Sequence, residues 1–237
     1  MQLTFSGQDR LLAVVAHPDD AELLCAGTLA RARAAGAAAG IAVVCQGDKG
    51  QPAEATGDLA AVREREMAAA AGLVPAELFM CGVPDGEAAD TPRQRKRLIE
   101  VYRRFRPTLV LAHSPRDYHP DHRASARLAD AASWFAASRG HVTASVPLDE
   151  PPQLWRMDCI NRGAFRPHFY IDVSDYAELK RRMLTCHKSQ LAREADADFT
   201  PLAQLLDLQM KARGAEAQTT AAEAFQIHHV LKRVRAW

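Results

Sequence analysis

A single α/β domain with a mostly parallel sheet flanked by helices on both faces is the fold that this 237-residue sequence predicts, on three observations. Short runs rich in valine and leucine recur at 11–16, 41–45, 77–81 and 108–112, bounded by turn residues, as buried parallel strands are. Segments rich in alanine, leucine and arginine separate them, which gives the βαβα alternation of a sheet covered on both sides. Length and composition, 48% apolar and 25% charged, suit one ordinary globular domain over residues 1–237.

The first strand, LLAVVA at 11–16, is closed by the turn-prone His17-Pro18-Asp19, and a helix then runs from 19 to about 38 with Gly36 as its stop. Strand 41–45 leads into a glycine-bearing loop at 47–58, long for a βα connection and therefore a functional candidate. Asp58 caps a helix over 59–71 that ends before Gly72. Strand 77–81 and the turn GVPDGEAAD follow. The basic segment 91–105 carries Leu98, Ile99, Tyr102 and Phe105 at helical intervals, so its charges face solvent.

Pro107 separates that helix from strand 108–112, and an alanine-rich helix covers 123–137. Beyond it the reading gives strands at 155–160 and 169–173, helices at 175–193 and 201–213, and a last strand at 225–231. The rigid, polar stretch 147–152 is expected at a pocket rim. The expected fold is Rossmann-like, with ligands at the carboxyl ends of the strands.

Thirty basic against twenty-nine acidic residues leave a formal charge of +1 and no electrostatic argument for nucleic acid. The N-terminus lacks the pattern of a signal peptide, and no apolar stretch is long enough to span a bilayer, so a cytoplasmic location is expected. The five cysteines, Cys25, Cys45, Cys81, Cys159 and Cys186, are scattered without CxxC spacing, which suits reduced thiols better than disulfides or a thiolate metal site. Trp134, Phe135 and Trp155 suit a subunit contact or simple core. No feature fixes a subunit number, and a homo-oligomer stays open.

Two polar knots follow apolar runs. AHPDDAE at 16–22 packs one histidine and three acids into six residues, and HPDH at 119–122 supplies further nitrogen donors. Helix capping accounts for Asp19, Glu22 and Pro120, with His119 or Asp117 as the second cap, but leaves His17, Asp20, His119, Asp121 and His122 without a function. Because the strands of a parallel sheet end on one side, the knots are expected to meet. His17, Asp20 and His122 then form a two-histidine, one-carboxylate set of the kind that holds catalytic zinc with a corner left for water; the set does not exclude iron. Asp19 reads as the general base. His119, oriented by Asp121, reads as the group that faces the oxyanion or the leaving amine. His113, at the end of a strand, reads equally as a partner of a ligand or as an ordinary hydrogen-bonded histidine.

With these residues in view, the sequence resembles the PIG-L/LmbE family of zinc-dependent N-acetylglucosaminyl-type deacetylases: AHPDDAE at 16–22 matches its AHPDDxE, and HPDH at 119–122 its HxDH. Gly47-Asp48-Lys49-Gly50, Arg63 with Glu66, His187-Lys188-Ser189-Gln190 and Ala222-Glu223-Ala224-Phe225 fit weaker family features. The resemblance implies Zn2+ on His17, Asp20 and His122, with Asp19, His119 and Asp121 catalytic. It also implies substrate contacts from Arg63, Tyr118 and His187. The implied reaction removes an acetyl group from an N-acetylated amino sugar or its conjugate. A deacylase of a non-sugar amide and a non-catalytic metal or sugar-binding protein are the alternatives.

Overall fold

Alternate residues of the first strand, β1 (Arg10–Val15), serve two different cores: Leu11, Ala13 and Val15 pack on one face of the sheet, Leu12 and Val14 on the other. That division, the period-two geometry of a strand, makes the sheet the middle of three layers. The computed structural model describes residues 4–228 apart from 53, 55–56, 162–164 and 196–200. One face carries α1 (Asp20–Leu24), α2 (Ala26–Ala34), α3 (Leu59–Leu73), α6 (Ala177–Leu184) and α8 (Leu202–Ala217). The other carries α4 (Pro92–Phe105) and α5 (Pro120–Phe135).

The seven strands lie in the order β3-β2-β1-β4-β5-β7-β6. β2 (Ala38–Cys45), β3 (Glu77–Val83), β4 (Leu109–Ala112) and β5 (Gln153–Met157) join β1 in a parallel block, whereas β7 (Ala222–Ile227) is antiparallel to both β5 and β6 (Phe169–Asp172). The chain steps outward from β1 to β3 and then crosses back to β4 on the other side of β1. The switch point therefore opens between the ends of β1 and β4, where His17 and His113 stand.

Four sequence expectations are corrected. The helix expected over 19–38 breaks at Cys25 (φ −150°, ψ 2°), because the Glu223 carboxylate accepts the Gly27 and Thr28 N–H groups (2.9 and 2.7 Å) and the Thr28 hydroxyl (2.6 Å), which gives α2 its own N-terminal partner. The helix expected over 175–193 likewise divides into α6 and a short α7 (Lys188–Leu191), with His187 at the joint. The stretch 147–152 precedes β5 and so lies at the amino end of the strands, with Asp149 paired to Arg106; it is not a rim of the site at the opposite end. Strand 155–160 instead spans Gln153–Met157.

The last strand ends at Ile227, while 229–231 of the expected 225–231 lie outside the described residues, as does His229. Trp155 is core, its ring against Phe169 at 4.8 Å, and Trp134 is 36% exposed. No described helix is long and apolar enough to cross a membrane. All five cysteines are free.

Candidate metal centre and active site

The turn after β1 places Asp19 at φ 112°, ψ −23°, a left-handed conformation that side chains other than Gly, Asn and Asp rarely adopt. Asp19 holds the N-cap position of α1, yet its side chain makes no cap hydrogen bond, and Glu22 turns away to His187 (3.3 Å). The capping account of this knot thus fails in both members. Instead the guanidinium of Arg63, from α3, donates to Asp19 Oδ2 at 2.8 Å, to the Pro18 carbonyl and to the Gly47 carbonyl at 3.4 Å.

Arg63, for which the motif implied a substrate contact, is 3% exposed and clamps the turn that carries Asp19. Its path explains Gly47, where φ is +75° and a Cβ would come within 2.6 Å of Arg63 Cδ. Gly47→Ala is expected to cost about 1–2 kcal/mol of stability for the left-handed backbone. By displacing Arg63, it is also expected to cost about 10²-fold in turnover. A thermal melt and a rate on one preparation measure both effects; a wild-type rate would remove the clamp from the mechanism.

Asp20 stands at the centre of the donors. Its carboxylate accepts the His17 N–H at 2.8 Å and lies 3.5 Å from His17 Nδ1, 3.3 Å from His122 Nε2 and 3.3 Å from His113 Nε2. The His17 and His122 rings are 5.4 Å apart at their centroids. Donor separations of 3.3–3.5 Å are those of ligands about 2 Å from one ion; they join His17 to Asp20 Oδ2 and His122 to Asp20 Oδ1, so side-chain adjustment is needed to fit all three to one zinc-like ion. His122 Nδ1 lies 3.2 Å from Asp117 Oδ1 while Nε2 faces Asp20, the side-by-side placing of carboxylate and imidazole that orients metal ligands.

Electrostatics support the same fit. Burial opposes charge on His17 and His122, but Asp121 and Asp20 around the first, and Asp20 and Asp117 around the second, raise their pKa values to about 9 and about 10. Burial pushes Asp20 up, yet His122 and His113 hold it well below the usual carboxylate range. Positive charge is thus favoured in this nest, as protons or as a cation. The raised histidines stabilise the folded state fully below their ordinary value near 6.5 and lose that contribution as pH rises through 9 to 10. Chelated protein is therefore expected to melt progressively lower from pH 6.5 to 10, and added zinc to restore stability most strongly at the alkaline end. A pH series of melts with and without zinc measures this; a chelated protein equally stable across the range would contradict it.

His119 caps α5: its Nδ1 accepts the Asp121 N–H at 3.2 Å, with Pro120 at the first helical position. The ring proton is then on Nε2. Burial and the neighbouring His122 and His17 lower its pKa. The expectation that the Asp121 carboxylate orients His119 is corrected: Asp121 Oδ2 lies 3.3 Å from His17 Nε2 and accepts the Gly86 N–H at 2.9 Å, while His119 is held by the Asp121 main chain. The carboxylate of Asp19 is pushed up by burial, with Arg63 opposing.

Tyr118 is 53% exposed, its ring 6.0 Å from that of His119 and 5.9 Å from that of His122. His187 is fully buried against Glu22 and has no surface to offer a substrate. It sits in a brace behind Asp19, where Ser189 donates to Glu66 from N–H and hydroxyl (2.8 and 2.6 Å) and Gln190 to the Gly50 carbonyl (3.0 Å). His113 is fully buried; its Nε2 accepts the Ala16 N–H at 2.9 Å, and its ring stacks on His122 at 4.1 Å.

Sequence reasoning did not give Asp117 a role beyond capping, though its place two residues before His119 marks it. It gave no role to Asp85, whose carboxylate accepts the Gly47 and Lys49 N–H groups (2.8 and 3.2 Å). Among the described residues, three sets of donors lie within 4.8 Å of one another: His17, His119 and His122; Asp20, His113 and His122; and His17, Cys45 and Asp121.

Residues 12–133 match the family model described as GlcNAc-PI de-N-acetylase, PIG-L. Diacetylchitobiose deacetylase of Thermococcus kodakarensis is 26% identical over 200 residues, covering 80% of this chain and 73% of that one. 4-Oxalmesaconate hydratase of Pseudomonas putida is 24% identical over 192 residues, covering 77% and 74%. The crystal structure of the conserved protein TT1542 of Thermus thermophilus superposes with a TM-score of 0.79 at 31% identity, covering 96% of this chain and 99% of that one.

Proposed function

Because this chain belongs to the PIG-L family, we propose that it is a metal-dependent hydrolase that removes the acetyl group from an N-acetylated amino sugar or its conjugate, releasing acetate and a free amine. The observation that carries this reading is the meeting of two distant knots: Asp20 of the first lies 3.5 Å from His17 and 3.3 Å from His122 of the second, with Asp19 clamped beside them by Arg63 and His119 holding the Asp121 N–H on Nδ1. The deacetylase relative supports an acetamide on a sugar as substrate.

When bound at His17, Asp20 and His122, zinc supplies an acidified water and polarises the amide carbonyl. Arg63 holds Oδ2 of Asp19 and leaves Oδ1 to take a proton from the attacking water. The raised pKa that burial gives this carboxylate makes it a stronger base than an exposed aspartate. Neutral His119 donates from Nε2–H to the oxyanion as the carbonyl carbon becomes tetrahedral. As that carbon collapses, the proton on Asp19 passes to the departing nitrogen, and acetate and amine leave. Tyr118 offers an exposed aromatic face beside the centre for the sugar ring.

His119→Ala is expected to keep its metal and lose about 3 kcal/mol of transition-state stabilisation, roughly 10²-fold in turnover. Loss of the metal instead would make His119 a ligand within the three-imidazole set. The function is tested by metal analysis of the purified protein together with acetate release from a panel of N-acetylated sugars and non-sugar N-acyl amines. The hydratase relative adds 4-oxalmesaconate to the panel. Acetate from the sugars supports the proposal, acetate from the other amides alone moves it to a deacylase, and hydration alone overturns it. A loaded centre inactive on every substrate revives the binding alternative.

A further inference from the structure

Cys45 ends β2 with its N–H donated to the Ala16 carbonyl at 2.7 Å, which fixes its thiol beside residue 17. The side chain is fully buried and the hydrolytic mechanism makes no use of it. Its Sγ, a ring nitrogen of His17 and a carboxylate oxygen of Asp121 lie within 4.8 Å of one another. His17 faces two ways: Nδ1 is 3.5 Å from Asp20, on the side of the hydrolytic centre, and Nε2 is 3.3 Å from Asp121, on the side of Cys45. Asp121 is fixed there by the Gly86 N–H, so the second cluster has a held carboxylate, an imidazole nitrogen and a thiol.

We infer that Cys45, His17 Nε2 and Asp121 form a second cation position, selective for a soft divalent ion, that competes with the hydrolytic centre for His17. Thiolate is the ligand that distinguishes it, since the hydrolytic set holds only nitrogen and oxygen. Small side-chain movements bring the three donors to bond lengths of about 2.0–2.3 Å from one ion. On binding, the Cys45 S–H bond breaks and its proton goes to solvent, one thiolate–metal bond forming in its place. His17 gives the Nε2 lone pair, so its remaining proton sits on Nδ1 facing Asp20. A second ion on Nδ1 would then require that proton to leave as well, so the two positions compete for His17. The competition rests on the hydrolytic reading of His17; the position itself does not.

The experiment uses cadmium as probe on the chelated 237-residue protein, followed by ultraviolet absorption. Wild type is expected to show a sulfur-to-cadmium charge-transfer band saturating at one ion per chain, and Cys45→Ser to lack it. Asp121→Asn, which keeps the thiol, is expected to need about tenfold more cadmium for half the band. Cadmium bound without a thiolate band, or a band that persists in Cys45→Ser from another cysteine, overturns the position, and an unshifted Asp121→Asn titration removes Asp121 from it. Inhibition of the zinc-loaded enzyme by cadmium that Cys45→Ser relieves supports the competition. Acetate release by zinc-loaded wild type without cadmium reports on the hydrolytic reading alone, so the two can fail separately.

Discussion

Asp19→Asn is expected to retain a full complement of metal and to lose about 10²–10⁴ of its turnover, the usual worth of a positioned general base. Asparagine is the informative substitution because it tolerates the left-handed backbone at φ 112°, which alanine does not. The variant keeps the turn and an oxygen for Arg63 but cannot accept a proton at neutral pH. Metal content, acetate release and a melt on one preparation separate the outcomes. A near-normal rate would take Asp19 out of proton transfer. Loss of metal would show that the Arg63–Asp19 clamp holds the ligand turn and not the base alone.

Asp20→Asn is expected to be the more severe of the two, with metal lost at concentrations that saturate wild type and no measurable turnover. Its carboxylate reaches His17, His113 and His122 together, and at pH 6 two of these imidazoles are favoured in the charged form. Removing the charge that buried partners depend on costs about 3–5 kcal/mol. The chelated variant should therefore melt well below chelated wild type at pH 6, and the gap should narrow as pH approaches 10 and the imidazoles lose their protons. Zinc bound as tightly as in wild type would exclude Asp20 from the ligand set and turn attention to His17, His119 and His122.

The parallel block and the meeting of the two knots were legible because both follow from local signals: short apolar runs, turn residues at their ends, and the rule that parallel strands end on one side. What escaped was decided by long-range partners. Nothing near Cys25 in sequence announces that Glu223, almost two hundred residues on, ends one helix there and begins another. Arg63 carries a motif that implies a substrate contact, and its hold on the Asp19 turn shows only once α3 is laid against that turn. His187 likewise reads as a pocket residue, since its motif gives its importance but not the side of the site it stands on. The Asp121 carboxylate and main chain serve different histidines, a division that spacing alone does not reveal.

Every proposed ligand and proton carrier lies within the stretch 17–122, but the carboxylates behind them meet partners from far down the chain: Glu22 lies 3.3 Å from His187, and Glu66 accepts from Ser189. Transplanting the C-terminal third of a relative onto this N-terminal part, in order to change which sugar is accepted, would therefore have to import partners for those two acids. A graft chosen by pocket shape alone would leave the buried Glu22 and the half-buried Glu66 without those partners, and the chimera would lose stability before its new specificity could be read.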